Sequence, residues 1–92
     1  MAKIIIPTPL RKFTANQAAI AVKSGTVLES IKDLTTQFPE LDKHLFNEED
    51  QLRGFVRVFI GEDDIEDLNG NITAVKDADT ISIIPAIAGG LN

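Results

Sequence analysis

The sequence predicts a small α+β domain in which one long helix packs on a single face of a β-sheet. Three observations indicate this class. A β-branched apolar segment opens the chain, one amphipathic helix follows it, and further β-rich segments come after the helix. The length of 92 residues fits one domain.

Composition excludes several kinds of site. The chain has no cysteine, which removes disulfides, thiolate metal sites, iron–sulfur clusters and cysteine nucleophiles. Its net charge of −5 and the lack of a basic run make nucleic acid and anionic membranes poor partners, and they favour a partner with a basic docking surface. The first apolar run is too short for a signal peptide or a membrane span, so we expect a cytoplasmic protein.

The first two strands are predicted as a hairpin. Lys3–Ile6 is a continuous apolar run that ends at Pro7, and its lack of alternation predicts burial on both faces. Turn residues occupy 13–17, after which Ala18–Val22 returns as the second strand.

The long helix carries the clearest local pattern. Thr26 and Glu29 have the spacing of a capping box, and Pro39 ends the helix. Its apolar stripe follows helical spacing and comprises Val27, Leu28, Ile31, Leu34 and Phe38.

The second half of the chain predicts shorter elements. In order, they are a helical turn at 40–46, an acidic loop at 47–51, a strand at 55–60, a turn at 61–64, a short return strand from Ile65 and a last strand at 80–84. Pro85 ends the last strand because proline has no N–H for a sheet ladder.

The residues after this strand suggest a functional tail. We place the domain at 1–86 and a flexible tail at 87–92, which holds only apolar or small residues up to Gly89 and Gly90. Two adjacent glycines let a backbone enter a channel too narrow for side chains. Their reactive group would be the backbone carboxylate of Gly90 once the following residues are removed. A frayed terminus is the simpler alternative.

The segments 55–65 and 75–90 carry a resemblance to a known family. An Asp-x-Asp-Thr entry leads into an apolar strand that ends in Pro-Ala-x-Ala-Gly-Gly. The chain resembles β-grasp, or ubiquitin-like, proteins and in particular the small sulfur carriers of the MoaD/ThiS family, nearest their CysO-like branch. The resemblance covers essentially the whole chain and implies a mixed sheet of four to five strands packed on one main helix.

The resemblance also implies a mechanism. An E1-like enzyme would use ATP to adenylate the carboxylate of Gly90, with Gly89 providing clearance, and sulfur would then replace AMP to give a thiocarboxylate. A sulfur-acceptor biosynthetic enzyme would receive the sulfur. The chain would be a co-substrate, not an enzyme, and would bind no metal or cofactor itself.

One departure from the family pattern lies at the end of the tail. Leu91 and Asn92 follow Gly90. The free carboxylate is therefore that of Asn92, and its adenylation would place a branched side chain where the family has none. Some carriers of this branch are trimmed by a JAMM-type zinc metalloprotease, so we expect cleavage between Gly90 and Leu91.

A docking surface is predicted beside the tail. Alternation along the strand at 55–60 separates Arg57 from its aliphatic neighbours and places Phe55 and Phe59 on the same face as Arg57. The last strand would present Ile84 on that face, and Ile87 extends it into the tail. These side chains would contact the activating enzyme or the sulfur acceptor, unless loops cover them.

Two further signals have simpler interpretations. The acidic residues at 62–67 do not match the spacing of a calcium-binding EF-hand loop, so a solvated turn is favoured over a cation site. His44 has no cysteine or second histidine to form a zinc site or a triad, so we expect a surface or capping role.

The pathway and the final chemistry stay open. The sulfur would go to cysteine, to homocysteine and methionine, or to a thio-cofactor. A ubiquitin-like modifier joined to lysines through Gly90 would use the same activated glycine. A third alternative is a regulatory or docking subunit whose tail has lost its function.

Overall fold

A computed structural model describes residues 1–49, 51–54 and 56–85 of the chain. Its strands, in chain order, are β1 (Ala2–Ile5), β2 (Ala19–Val22), β3 (Gly25–Thr26), β4 (Val56–Ile60), β5 (Asp63–Asp64), β6 (Ala74–Val75) and β7 (Thr80–Pro85). Its α-helices are α1 (Val27–Gln37) and α2 (Asp42–Leu45), and 3₁₀ helices lie at Thr8–Phe13, Pro39–Leu41, Ile65–Asp67 and Gly70–Ile72.

The main sheet has five strands in the order β2-β1-β7-β4-β5. Strands β1 and β7 run parallel, whereas β1–β2, β4–β7 and β4–β5 are antiparallel pairs. The last strand therefore inserts in the middle of the sheet, between the first strand and β4. The predicted mixed sheet packed on one main helix is confirmed.

Helix α1 begins at the predicted capping box. The Oγ1 atom of Thr26 accepts the backbone N–H of Glu29 at 3.2 Å, and Oε1 of Glu29 accepts the backbone N–H of Thr26 at 3.1 Å. The helix ends at Gln37, two residues before Pro39. Its buried side packs on β1 and β2, and Leu34 and Ile31 are fully buried there.

The core lies between α1 and the inner face of the sheet. Its members are aliphatic except for one aromatic ring, and each large side chain contributes roughly 1.5–3 kcal/mol by burial. They are Ala2, Ile4, Ile6, Leu10, Ile20, Val22, Val27, Ile31, Leu34, Leu41, Leu45, Phe46, Val58, Ile65, Val75, Ile81 and Ile83.

The expectation that the first strand is buried on both faces is wrong. Ile4 and Ile6 are buried, but Lys3 is exposed, and Ile5, between the two buried isoleucines, is only half-buried. Although β1 is central in the sheet, only one of its faces packs on the core. The apolar run Ile4–Ile6 therefore places Ile5 on the outer face.

The return strand after β4 comes earlier than predicted. Gly61 adopts a φ of +60°, which favours glycine, and it lets Asp63 and Asp64 pair with Ile60 and Phe59. Ile65 begins a 3₁₀ helix instead of a strand, because the side chain of Asp64 caps that helix.

A two-stranded ribbon of β3 and β6 was not predicted. Gly25 pairs with Val75 and Thr26 pairs with Ala74, so the start of α1 is anchored next to the segment that leads into β7. The predicted helical turn at 40–46 is confirmed by α2 and the 3₁₀ turn before it. The proposed boundary between domain and tail stays a prediction, because residues 86–92 lie outside the described residues.

Candidate functional site

The outer face of the sheet, on the side away from α1, brings Arg57, Phe59 and Ile84 together. Across β4 and β7, Arg57 is paired with Ile84 and Phe59 with Ser82, and paired residues of neighbouring strands point to the same face. Ile84 is 49% exposed, Arg57 is exposed, and the other two are half-buried. For Arg57, Phe59 and Ile84 the predicted outward orientation is confirmed, whereas the docking role stays a prediction.

This face continues across the sheet beyond the predicted residues. Ile5 on β1 is paired with Ser82 on one side and with Ala19 on the other. Lys3 is likewise paired with Ala21, and both alanines are exposed. Sequence reasoning missed this half of the surface, although the exposed lysine within the first strand was a signal for alternation.

An ion pair orients the cation of the outer face. Arg57 donates to Oδ2 of Asp64 from Nε at 3.2 Å and from Nη2 at 2.5 Å. The other carboxylate oxygen, Oδ1, accepts the backbone N–H of Glu66 at 2.9 Å. The guanidinium is thereby ordered before any partner arrives, which lowers the entropy cost of binding through it.

The pKa values of this pair move in opposite directions. The hydrogen bond from Arg57 lowers the pKa of the Asp64 carboxyl, and the backbone N–H of Glu66 adds to that effect. The same hydrogen bond raises the pKa of Arg57. Both groups are charged in the folded protein near neutral pH.

The strand register fixes where the tail begins. Pro85, the last residue of β7, is paired with Val56, the first residue of β4. On the other side of β7, β1 runs parallel and ends at the same edge of the sheet. The last residue of β7 therefore lies at this end of the sheet, with β1 on one side and β4 on the other. Several predicted site residues lie outside the described residues, namely Phe55, Ile87, Gly89, Gly90 and Leu91.

His44 is half-buried, so the predicted surface position is only partly correct. Its ring stacks on Phe13 with 4.5 Å between ring centroids, and Nε2 is buried with no hydrogen-bond partner among the described residues. Burial is the main reason that the pKa of His44 is lowered, and neighbouring charges modify it further. Those that lower it are Lys43, Lys12 and Arg53, and Glu40 opposes them.

The acidic residues of 62–67 lie in the turn after β4, in the short strand β5 and in the 3₁₀ helix that follows it. Asp64 is engaged by Arg57 and by the 3₁₀ helix that it caps. Across residues 1–49, 51–54 and 56–85, no three or more His, Cys, Asp or Glu side chains are grouped to hold a metal ion. In the same part of the chain, no helix has the length and apolar character needed to cross a membrane.

Comparisons with known proteins agree with this geometry. A model of the ThiS family matches residues 4–90. The sulfur carrier protein CysO of Mycobacterium tuberculosis is 30% identical over 89 residues, which cover 95% of this chain and 96% of the relative.

Solved structures give the same result. A chain from the crystal structure of the Amycolatopsis orientalis BexX/CysO complex matches with a TM-score of 0.87 and 36% identity, covering 98% of this chain and 100% of its own. The small archaeal modifier protein 1 of Methanosarcina acetivorans matches with a TM-score of 0.87 and 27% identity, covering 97% of this chain and 95% of its own.

These similarities span the sheet, the helix and the C-terminal segment together. The family match includes both glycines of the tail and ends at Gly90, and the matched structures cover nearly the whole chain. The chain therefore belongs to the ThiS family, as a ubiquitin-like protein similar to the CysO-type sulfur carriers.

Proposed function

We propose that the chain is a sulfur carrier that acts through the carboxyl group of Gly90. The observation that carries this proposal is the family match, which runs to residue 90 and so includes Gly89 and Gly90. The named CysO relative, a sulfur carrier protein, supports it over nearly the full length. In this role the chain is a co-substrate and not an enzyme.

The proposed chemistry takes place on the main chain. A carboxylate oxygen of Gly90 attacks the α-phosphorus of ATP held by an E1-like enzyme, and pyrophosphate leaves. Sulfide (HS⁻) then attacks the carbonyl carbon and displaces AMP, and loss of the sulfur-bound proton leaves a thiocarboxylate. With no Cβ at Gly89 or Gly90, the carbonyl is open to both reactants.

Trimming comes first in this scheme. The Gly90–Leu91 peptide bond must be hydrolysed before a carboxylate exists on Gly90, and we assign this step to a JAMM-type metalloprotease. The end of the family match at residue 90 supports this position for the cut.

The outer face is proposed to hold the tail in place for these steps. Arg57, Phe59 and Ile84 would contact the adenylating enzyme, and then the acceptor enzyme, in the cytoplasm. Phe55 and Ile87 are proposed to extend the contact. The structure of a CysO relative in a complex with BexX supports an interaction with a partner protein.

The intact mass of the protein from its own cells tests the proposal. We expect a species that ends at Gly90 and is heavier by the exchange of one oxygen for sulfur. Gly90→Ala should abolish the heavier species because a methyl group would crowd the reacting carbonyl. Gly54→Ala is the matched control, since a Cβ there has no neighbour within 4 Å. A chain that never ends at Gly90 would contradict the proposal.

A protein modifier is the second candidate function. The similarity to a small archaeal modifier protein favours it. Lys76 is the last basic residue of the sequence, so trypsin would leave the segment 77–90 on any modified lysine. Proteins that carry this remnant would support the modifier, and thiocarboxylate without such remnants would support the carrier.

A further inference from the structure

Three basic side chains lie near the sheet edge from which the tail leaves. Lys12 belongs to the 3₁₀ helix that follows β1, and Arg53 lies three residues before β4. Strand β1 ends, and β4 begins, at the same end of the sheet as the last residue of β7, so these two residues belong to the segments that adjoin that end. Lys43 on α2 completes the group, and the three residues are termed the basic arc.

Side-chain contacts connect the three segments of the basic arc. Arg53 Nε donates to the backbone carbonyl of Lys43 at 2.9 Å. His44, next in the chain, stacks on Phe13, and Nζ of Lys12 lies 5.2 Å from the centroid of that ring. The arc is thus assembled from residues that are far apart in sequence.

The charges of the basic arc are available to a partner. Lys12 and Lys43 are exposed and Arg53 is half-buried. The ion pairs found between described residues join Met1 to Asp77 and Arg57 to Asp64, and they leave the arc unpaired.

The opposite edge of the sheet is acidic. Gly61 donates its N–H to the carbonyl of Thr80, which places the β4–β5 turn beside the start of β7. That edge carries the side chains of Glu62, Asp63, Asp77 and Asp79. In a chain of net charge −5, the three cations of the arc are a local exception, and complementary charge would direct an acidic segment to them.

We propose that the basic arc binds an acidic polypeptide segment of the partner enzyme that receives the tail. This inference rests on the function proposed above and adds the chemistry of the partner surface. The arc would orient the approach so that the tail arrives first, as complementary charges do in other associations.

The reach of the tail favours a protein segment over the phosphates of ATP. Gly90 is the fifth residue after Pro85, so a fully extended tail could carry the reacting carboxylate up to about 17 Å from Pro85 and from the end of the sheet that the arc adjoins. That separation exceeds the screening length of about 8 Å at physiological salt.

An NMR titration of the full ¹⁵N-labelled chain tests the inference. The probe is a short peptide of alternating Glu and Gly, with a Gln-for-Glu peptide and inorganic tripolyphosphate as comparisons. We expect amide shifts at 8–13, 42–44 and Arg53 with the Glu peptide alone, and weaker binding as salt is raised. The double variant Lys12→Glu/Lys43→Glu should weaken binding at least about tenfold.

Lys76→Glu is the matched control, because Lys76 is exposed at the opposite edge and its reversal should leave binding unchanged. If the double variant does not keep a dispersed spectrum, Lys12→Gln/Lys43→Gln replaces it. Shifts elsewhere, equal binding of the Gln peptide, unchanged affinity in the double variant or a preference for tripolyphosphate would each overturn the inference.

The two proposals can fail separately. Peptide binding at the arc by a chain that never acquires sulfur would support the arc and contradict the sulfur carrier. A thiocarboxylate on a chain whose arc ignores the Glu peptide would support the carrier and overturn the arc.

Discussion

Asp64 is the residue on which the order of the outer face depends. The residue is 8% exposed, and its carboxylate accepts hydrogen bonds from Arg57 and from the N–H of Glu66. A single carboxylate therefore fixes the direction of the exposed cation and caps the following 3₁₀ helix. Losing it would affect both the surface and the local backbone.

The ion pair predicts an acid-dependent loss of stability. The pKa of Asp64 is lower in the folded chain, so the unfolded chain binds the proton more readily. The contribution of the pair is complete above the ordinary Asp pKa of about 3.9 and disappears as the pH falls through the folded value. Urea unfolding of Asp64→Asn should show a deficit at pH 7 that narrows in acid. Asp63→Asn, exposed on the same strand, should show no such deficit.

His44 predicts a second pH dependence with the same sign. Burial and the charges of Lys43, Lys12 and Arg53 lower its pKa despite Glu40. The folded chain therefore loses stability as the pH falls below about 6.5, the value for an unfolded histidine. His44 is the single histidine of the sequence, so its imidazole resonance can be followed by NMR, and we expect a midpoint below 6.5.

His44→Phe keeps an aromatic ring against Phe13 and removes the titration. The unfolding free energy of this variant should vary less between pH 7.5 and pH 5.5 than that of the parent chain. A midpoint at or above the ordinary histidine value would contradict the stacked geometry with its buried Nε2.

At the scale of elements, the capping box makes a measurable contribution to α1. Thr26→Ala removes the acceptor for the N–H of Glu29 and should lower the free energy of unfolding by about 1 kcal/mol. Thr36→Ala is the control, since Thr36 is exposed and its hydroxyl donates to a carbonyl within the helix, that of Lys32. Equal effects of the two substitutions in urea unfolding would argue against a capping role.

Elements specified by local chemistry could be predicted from the sequence. The capping box and Pro39 gave the extent of α1, and alternation about Arg57 gave the outward face of β4. The ribbon of β3 and β6 could not be predicted, because each strand has two residues and depends on distant pairing.

In the candidate site, too, some features follow from local sequence and others depend on contacts between distant segments. The orientation of Ile84 follows from strand period, which a short stretch of sequence reveals. The bond between Arg57 and Asp64 depends on the β4–β5 register, set by the backbone of Gly61. The basic arc is assembled from three separate segments, so a reading along the sequence does not reveal it. The net charge of −5 instead favoured a partner with a basic surface.

For the whole molecule, the position of β7 connects these features. As a central strand it is held on both sides, so the tail starts from a rigid edge. The outer face lies along the same strand through Ile84, and the basic arc lies near its end. A partner that receives the tail therefore meets an apolar contact and a set of cations in fixed directions.

The outer face leads to the last prediction. Ile84→Asp places a charge where an apolar contact is proposed, so the fraction of chain carrying a thiocarboxylate in its own cells should fall at least about tenfold. Stability should fall by about 1 kcal/mol, because the side chain is already 49% exposed and the main cost is that aspartate is disfavoured in strands. Intact mass and urea unfolding measure the two effects.

Ile72→Asp provides the comparison for that experiment. Ile72 is an aliphatic residue with 73% exposure, and it lies in a 3₁₀ helix that packs beside α1 and not on the outer face. If exposed apolar side chains in general supported sulfur loading, both substitutions would reduce it equally. A loss confined to Ile84→Asp would assign the contact to the outer face, and unchanged loading in that variant would remove this face from the proposed mechanism.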